Sequence, residues 1–444
     1  MKNYKKIMKK KLYFSSLGCT RNQVDSEVMI AKLLENDLVL SNDIEKADFF
    51  IVNTCGFLQE SRDEAYGILD EIFAQKKKNA RVIITGCMAN LFSKEIEERY
   101  DQIYSIISSG NIDKIVEAVN KETILKDKLS YLQENDFNRI LVNPKHLAFV
   151  KISEGCSKAC SFCIIPKIKG PLQSRSIESV LQEINLLLDD GVFEINLIAQ
   201  DLLDYGKDRN EKNSFITLLK EILKIKKDFW LRLLYVYPDE ITDEFIDLFA
   251  SDKRICKYLD IPLQHVSDEI LIKMRRKTSN KKILELFEKL KTRIPDISIR
   301  TSLMVGFPAE TQINFDELED FIEKNTVDHL AVFKYSNEQH AHSFEFSNQI
   351  SEDIKQKRFE ILTKKQLDQV QKRNKKLVNR IFNVIIDGYH PQSKLLALGR
   401  TQGQAFGVDS NIIINDLEKV TEFGKIYKVK ISEISGYDLI GAPI

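Results

Sequence analysis

Residues 147–163 read LAFVKISEGCSKACSFC, a short apolar run that leads directly into a loop with three cysteines. Cys156, Cys160 and Cys163 are separated by three and then by two residues. Three thiolates on one loop can hold a cubane iron–sulfur cluster and leave its fourth iron without a cysteine ligand. An iron with an open position indicates a place where a reaction occurs.

Other metal sites match this loop less well. A closed structural zinc site normally has four ligands, and the next cysteine, Cys256, is far along the chain. The Cys-x-x-Cys-x-x-Cys-x-x-x-Cys-Pro run of small ferredoxins has a different spacing. A partial zinc knuckle or an incidental group of cysteines stays the alternative interpretation of the loop.

The loop follows the first of six strand-like runs that alternate with helical patterns such as 177–188 and 280–291. Repeated strand–helix units favour a parallel barrel, and six units make an incomplete one. The cysteine loop should therefore lie at the barrel face where the strands end and where chemistry is done. The predicted strands are Leu147–Ile152, Glu194–Ala199, Trp230–Tyr235, Tyr258–Ile261, Ser298–Met304 and Asp328–Tyr335.

The residues that follow the other strands should reach the same face. His265 is as consistent with a structural role as with a catalytic one, and the Gly306 segment is as consistent with a turn as with a close approach to a ligand. Ser267 precedes two acidic residues and is predicted to cap a helix, whereas Cys256 is predicted to pack in an apolar strand. By position, the candidates are Gln200, Asp201, Tyr237, Gln264, His265, Gly306, Phe307 and Tyr335.

The first part of the chain, from residue 11 to about 121, alternates apolar runs with helix-like stretches, which predicts a parallel, doubly wound sheet. Cys19, Cys55 and Cys87 each follow a predicted strand. Because the carboxyl ends of parallel strands lie along one edge, these cysteines should converge into a second three-cysteine cluster. Taken singly, each would be interpreted as a small buried residue. The predicted strands are Leu12–Leu17, Phe49–Asn53 and Arg81–Thr85, and the helices are Gln23–Leu34, Ser61–Gln75 and Ser93–Tyr100.

The residue pattern changes around the barrel and toward the end of the chain. A polar linker at Tyr131–Pro144 precedes the barrel, and a lysine-rich helix is predicted over Ser351–Asn379. Short strands rich in isoleucine and valine then predict a small antiparallel β-barrel. These strands are Ile381–Asp387, Lys394–Arg400, Ile412–Ile414 and Ile426–Ile434. The expected domains are therefore 1–135, 145–378 and 380–444.

Composition adds limits on partners and compartment. Lysine plus arginine and aspartate plus glutamate both number 66 in the 444 residues, so no overall field would draw the protein to nucleic acid. Seven cysteines, three of them clustered, argue for metal chemistry in a reducing compartment rather than for disulfides. The sequence has no signal-peptide core and no apolar run long enough to span a bilayer. We expect a cytoplasmic protein with no membrane partner.

The cysteine loop, with Phe162 before its last cysteine, resembles the signature of radical S-adenosylmethionine enzymes. With the N-terminal three-cysteine domain and a C-terminal barrel similar to a TRAM domain, nearly the whole chain resembles a radical S-adenosylmethionine methylthiotransferase. Three stretches are similar to the branch that modifies an aspartate of ribosomal protein S-twelve. They are SLGC at 16–19 with VDSE at 24–27, IAQD at 198–201 with YG at 205–206, and YLDIPLQH at 258–265.

The resemblance implies two [4Fe–4S] clusters and S-adenosylmethionine as cofactors. One cluster would cleave S-adenosylmethionine to a radical, and the other would carry the sulfur that is inserted. Phe162, Gln200 and Gly306 would border the bound S-adenosylmethionine. The first cluster would be held by Cys156, Cys160 and Cys163, and the second by Cys19, Cys55 and Cys87.

The implied partners are ribosomal protein S-twelve or the small ribosomal subunit and a reductant protein of flavodoxin or ferredoxin type, with the enzyme itself a monomer. The chain departs from the family pattern at Ala309, where glycine is usual, and at Lys169 and Ser176, where arginine and proline are common. An alanine at 309 costs stability if its φ is positive. The competing interpretations are a methylthiotransferase for a modified adenosine of tRNA and, from another class, a non-catalytic electron carrier.

Overall fold

The computed structural model describes residues 10–125, 131–324 and 327–444. Its first part is a parallel sheet in the order β2-β1-β3-β4-β5-β6, with helices on both faces. The central strand β3, Phe49–Thr54, is buried along its whole length, as is usual when helices cover both faces. The other elements are β1 (Lys10–Ser16), α1 (Thr20–Glu35), β2 (Leu38–Leu40), α2 (Gln59–Gln75), β4 (Arg81–Gly86), α3 (Cys87–Leu91), α4 (Ser93–Arg99), β5 (Ser105–Ser108), α5 (Ile115–Asn120) and β6 (Thr123–Leu125).

The middle part is an incomplete parallel barrel, as predicted. Its six strands lie in the order β14-β13-β12-β11-β10-β7, and β14 and β7 are left as edges. A short antiparallel pair, β8 with β9, flanks the cysteine loop. The elements are β7 (Leu147–Lys151), β8 (Ser153–Glu154), α6 (Ile165–Lys169), β9 (Gln173–Ser174), α7 (Ile177–Asp189), β10 (Glu194–Ile198), α8 (Ser214–Leu223), β11 (Trp230–Leu233), α9 (Asp243–Ser251), β12 (Ile255–Asp260), α10 (Asp268–Lys273), α11 (Asn280–Arg293), β13 (Ser298–Val305), α12 (Gln312–Lys324) and β14 (His329–Lys334).

The last part is a closed five-stranded barrel that follows a long helix. Four of its strand pairs are antiparallel, and the fifth, β17 with β19, is parallel. The helix ends four residues earlier than predicted, at Lys375. The elements are α13 (Glu352–Lys375), β15 (Ile381–His390), β16 (Ser393–Arg400), β17 (Ile412–Ile414), β18 (Ile426–Ser435) and β19 (Asp438–Pro443). The domain division at 1–135, 145–378 and 380–444 stays a prediction.

A buried charge network joins the first sheet to the barrel. The Nζ atom of Lys151, on β7, lies 2.5 Å from Asp25 of α1 and 3.1 Å from Glu154. Lys169, at the end of α6, lies 3.6 Å from both carboxylates. Opposite charges that are buried and paired in this way fix the relative position of the groups they join. The network therefore sets how α1 sits against the cysteine loop.

A second network joins the barrel to the C-terminal domain. Glu194, at the start of β10, contacts Arg232 at 2.7 Å and Arg400 of β16 at 2.9 Å. Arg400 also contacts Asp387 at 2.7 Å, and Asp387 lies 2.9 Å from His146. All of these side chains are buried or nearly so. The three parts are thus docked through specific polar contacts as well as apolar ones.

Candidate active site

A cavity of about 360 Å³ lies where the three parts meet. The loop cysteines Cys156, Cys160 and Cys163 line one wall. The first domain contributes Thr20, Arg21 and Phe57 to the cavity, and the C-terminal barrel contributes Phe406 and Val408. Each domain therefore supplies part of one shared site.

Two residues surround Cys160. The hydroxyl of Tyr237, just after β11, lies 2.8 Å from its Sγ atom, and Nη1 of Arg276 lies 3.9 Å from it. The Arg276 guanidinium stacks on the Tyr237 ring at 3.7 Å and donates to the carbonyl of Pro262. Burial lowers the pKa of Arg276 to about 10, although the nearby Cys160 opposes this shift.

Lys158, inside the loop, is held by acidic residues that follow β10. Its Nζ atom lies 2.9 Å from Asp201 and 3.1 Å from Asp204. Burial, together with the charge of Asp204, raises the pKa of Asp201 to about 6, although Lys158 opposes this shift. Since one lysine faces two carboxylates, the loop is tied to the top of the barrel by a compact ionic cluster.

The three N-terminal cysteines stand at neighbouring strand ends, as the sequence predicted. Cys19 occupies the N-cap position of α1, Cys55 follows β3, and Cys87 begins α3. A Cβ atom built on Gly18, where φ is +90°, would lie 2.8 Å from the Cβ of Cys55, so only glycine allows this close approach. Cys87 packs with Ile164 and Ile168, which follow the loop cysteines, so the two cysteine groups lie across one interface.

The N-terminal thiols differ in acidity. Burial raises the pKa of Cys87 to about 12 and also raises that of Cys55. Burial acts the same way on Cys19, but the charge of Arg21, the N–H of Asn22 and Lys169 outweigh it and lower the pKa of this thiol. A helix N-terminus with nearby cations favours the thiolate form, which is the form that binds metal.

The positional candidates divide into three groups. Gln200, Tyr237 and Gln264 line the cavity, and so does Phe162 of the loop. Asp201 does not line the cavity itself but forms an ion pair with Lys158, which does. The remaining candidates, His265, Gly306, Phe307 and Tyr335, are not among the residues that line it.

The residues outside the cavity have structural contacts of their own. The Nε2 atom of His265 lies 3.5 Å from Glu310, and its Nδ1 accepts the N–H of Ser267 at 3.0 Å. Phe307 packs edge to face on Tyr335. Gly306 has φ +75°, and a side chain there would collide with Lys355 of α13. His265 is thus a buried histidine outside the cavity, with one ring nitrogen hydrogen-bonded and the other, Nε2, without a hydrogen-bond partner among the described residues.

Two further expectations concern Cys256 and Ser267. Cys256 is fully buried in an apolar cluster, as predicted. Ser267 occupies the N-cap position of α10 and is followed by two acidic residues, as predicted, but its side chain makes no cap hydrogen bond. The hydroxyl instead donates to Glu317 at 2.9 Å and accepts from Asn314 at 3.0 Å, because α12 packs close enough to compete for it.

Sequence reasoning missed several charged residues of the cavity. Arg21 stands two residues after Cys19, and Lys158 stands within the loop, so their closeness to cysteines was a usable signal. Arg276 comes from a segment after α10, and Arg300 from within β13, where no strand-end rule applies. Asp260, the last residue of β12, pairs with Arg300 at 3.0 Å.

Comparison with known proteins identifies the class. Residues 11–108 match a model described as uncharacterized protein family UPF0004, residues 150–322 match the radical SAM superfamily, and residues 378–444 match the TRAM domain. A solved radical S-adenosylmethionine methyltransferase, TsrM from Kitasatospora setae, superposes with a TM-score of 0.54 at 16% identity, over 73% of this chain and 72% of that one. The fold and the site thus define a radical SAM enzyme with an added N-terminal domain and a TRAM domain.

The curated relatives narrow this class. The chain is 46% identical to the ribosomal protein uS12 methylthiotransferase RimO of Protochlamydia amoebophila, over 97% of this chain and 92% of the relative. Identity to the RimO of Chlamydia caviae is also 46%, over 98% and 96%, and to that of Geobacter sulfurreducens it is 38%, over 98% of both. The chain belongs to the RimO family of methylthiotransferases.

The radical SAM class implies an iron–sulfur cluster and S-adenosylmethionine, and the loop cysteines suit the cluster. Their thiols are free and partly exposed to the cavity. Among the described residues, no three His, Cys, Asp or Glu side chains converge as ligands of one metal ion would. Since a cubane has four separate irons, its cysteine ligands need not converge on one point. Within the described ranges, no helix is long and apolar enough to cross a membrane.

Proposed function

We propose that this protein inserts a methylthio group at the β-carbon of an aspartate in ribosomal protein uS12. The relatives are named for action on that protein. The observation that carries the proposal is the shared cavity, in which Thr20 and Arg21 beside Cys19 face the loop cysteines. A reaction that joins a carbon and a sulfur needs both reacting centres within near-attack distance.

In this proposal the chain holds two [4Fe–4S] clusters. The loop cysteines hold the one that binds S-adenosylmethionine, with Phe162 and Gln200 beside it; Gly306 shapes the neighbouring turn. Cys19, Cys55 and Cys87 hold the second, next to Lys169. When bound, these groups supply a carbon-centred radical and the sulfur.

The residues of the chain position these groups and exclude water. Tyr237 and Arg276 bracket Cys160, while Lys158 anchors the loop to Asp201. Phe57 and Phe406 add apolar walls to the cavity from the first and last domains. Apolar walls of this kind limit the access of water to a reactive radical.

A protein substrate is also favoured by the charge of the C-terminal barrel. Arg400 and Asp387 of this domain are buried, and the Asp409 side chain is 1% exposed, so these three charges are not available to a partner. The remaining acidic and basic residues of this domain are nearly equal in number, whereas RNA binding calls for an excess of lysine and arginine. A reductant protein of flavodoxin or ferredoxin type and a monomeric enzyme complete the proposal.

The test uses the full chain with reconstituted clusters, S-adenosylmethionine and a reductant. Given a peptide of the uS12 loop or the intact small subunit, it should form a methylthio product detectable by mass spectrometry. Modified tRNA serves as the competing substrate. A product on tRNA with none on uS12 would show that the proposed substrate is wrong.

A further inference from the structure

The cationic side chains that line the cavity differ in their partners. Lys158 and Arg300 each contact a carboxylate of the chain, at 2.9 and 3.0 Å. Arg21 and Arg276 make no ion pair with any carboxylate in the ranges that the structure describes. Two guanidinium groups therefore face the cavity without a direct ion pair, although Glu154 acts on Arg21 and Asp201 on Arg276 from farther away.

Arg276 lies on the side of the loop cysteines. Its Nη1 atom is 3.9 Å from the Sγ of Cys160, and its ring partner Tyr237 contacts the same sulfur. S-adenosylmethionine would bind at this cluster and brings a carboxylate of its own. Arg276 is thus placed to bind the carboxylate of S-adenosylmethionine. Arg21 then stays available for a different anion.

Arg21 reaches from the first domain to the top of the barrel. Its Nη1 atom donates to the carbonyl of Ala199, next to Gln200, at 2.8 Å. The guanidinium lies 5.2 Å from the ring centroid of Tyr235, within the range of a cation–π contact. Tyr235 has φ +66°, an uncommon conformation that a functional contact can justify. Arginine has five N–H donors, and within the described ranges only one atom of this side chain has a hydrogen-bond acceptor.

Arg21 is close to both cysteine groups. It stands two residues after Cys19, and it lines the same cavity as Cys156, Cys160 and Cys163. A substrate carbon that meets a radical from one side and sulfur from the other must lie in this same space.

We propose that Arg21 binds the side-chain carboxylate of the substrate aspartate, an inference that rests on the proposed function. The β-carbon of aspartate is bonded directly to the carboxylate carbon. A guanidinium that binds the carboxylate through two parallel N–H donors therefore also fixes the β-carbon. Arg21 is in this sense a specificity-determining residue that separates aspartate from its amide.

The experiment compares two uS12 loop peptides that differ only in aspartate or asparagine at the target position. Their dissociation constants are measured with the reconstituted full chain and S-adenosylmethionine, without reductant. The wild type should favour the aspartate peptide by about ten- to a hundredfold, as expected for a charge-assisted hydrogen bond. Arg21→Met should bind both peptides alike, and Arg21→Lys should keep part of the preference.

Arg99→Met is the matched control, since Arg99 is an exposed residue of the same domain. It should keep the full preference. Iron content and melting temperature are recorded for each variant, and Arg21→Lys provides the answer if the methionine variant does not fold. If a folded Arg21 variant prefers the aspartate peptide as strongly as the wild type does, the proposal is overturned.

Failure of the proposed function has a separate signature. If the wild type, with reductant, forms no methylthio product on the aspartate peptide, the substrate is wrong and the role of Arg21 is wrong with it. If the product forms but Arg21→Met discriminates between the peptides as the wild type does, only the role of Arg21 is wrong.

Discussion

The hydroxyl oxygen of Tyr237 lies 2.8 Å from the Sγ atom of Cys160, and the Arg276 guanidinium stacks on the ring of the same tyrosine. A cysteine that binds iron is a thiolate and can only accept, so the tyrosine hydroxyl must then donate. Hydrogen bonds to cluster sulfurs stabilise the reduced, more negative state.

Tyr237→Phe should therefore lower the reduction potential of the loop cluster. One hydrogen bond of about 1 kcal/mol corresponds to a shift on the order of 50 mV for one electron. The potential is read by electron paramagnetic resonance during a redox titration. Tyr389→Phe, at an exposed position of β15, is the control and should leave the potential unchanged. An unshifted potential in Tyr237→Phe would contradict a donor role for the hydroxyl.

The two cysteine groups should be separable by mutation. Cys156→Ala should abolish the reductive cleavage of S-adenosylmethionine, because in the proposed function Cys156 helps hold the cluster that binds this cofactor. Cys19→Ala should keep the cleavage and lose sulfur insertion. The measurements are 5′-deoxyadenosine by chromatography, methylthio product by mass spectrometry, and iron per chain, which should fall by about half in each variant. Equal loss of cleavage in both variants would contradict the assignment of separate roles to the two cysteine groups.

The ion pairs of Glu194 should govern the stability of the domain junction. Burial would raise the pKa of this carboxyl, but Arg400 and Arg232 outweigh it and lower the pKa to about 2, from 4.5. Since the folded-state pKa is the lower one, the contribution is present above about pH 4.5 and is lost as the pH falls toward 2.

Glu194→Gln removes the negative charge that Arg232 and Arg400 share. The free energy of unfolding should therefore fall by about 3–5 kcal/mol at pH 7. The free energy of unfolding is measured in urea at pH 7 and at pH 3, and the deficit should shrink at pH 3. Glu360→Gln, at an exposed site of α13, should change neither value. A deficit of equal size at both pH values would argue against the ionic origin.

Ala309 occupies a backbone conformation that suits glycine. Its φ is +65°, and its N–H donates to the carbonyl of Asn348 at 2.9 Å, which holds the turn in place. Ala309→Gly should remove about 1–2 kcal/mol of strain and add a smaller entropic cost, so we expect a net gain of about 0.5–1 kcal/mol. Thermal and urea unfolding measure it.

A matched alanine-to-glycine substitution should have the opposite effect on stability. Ala250→Gly lies at an exposed helical position in α9 and should cost about 1 kcal/mol. If Ala309→Gly destabilises the protein to the same degree, the turn carries no strain that glycine can relieve.

Much of the fold could be predicted because strands and helices alternate with clear spacing. All six barrel strands lie within a few residues of their predicted bounds, and Cys19, Cys55 and Cys87 follow strands as expected. Three-residue strands such as β2 and β6 were missed because they have no periodicity to detect. The last strand, β19, contains Gly441 and Pro443, which disfavour strands, and its pairing with β17 is parallel and distant in sequence.

The site was predictable where it follows strand ends and was not elsewhere. Gln200 and Tyr237 could be placed by counting from the strands. Arg276 could not, since its path into the cavity follows a turn at Arg275, whose φ of +58° has no sequence signal. Arg300 lies within β13, and its exposure to the cavity depends on which neighbours leave space beside the strand.

The small size of the cavity also has a consequence for what the enzyme can modify. A volume of about 360 Å³ is near the lower limit for pockets that enclose a single small ligand. A folded protein does not fit in that space, so the body of a protein substrate must stay outside and only a projecting segment can enter. We therefore expect target aspartates to lie at the tip of a projecting loop, and aspartates on flat surfaces, on helices or within sheets to be poor substrates.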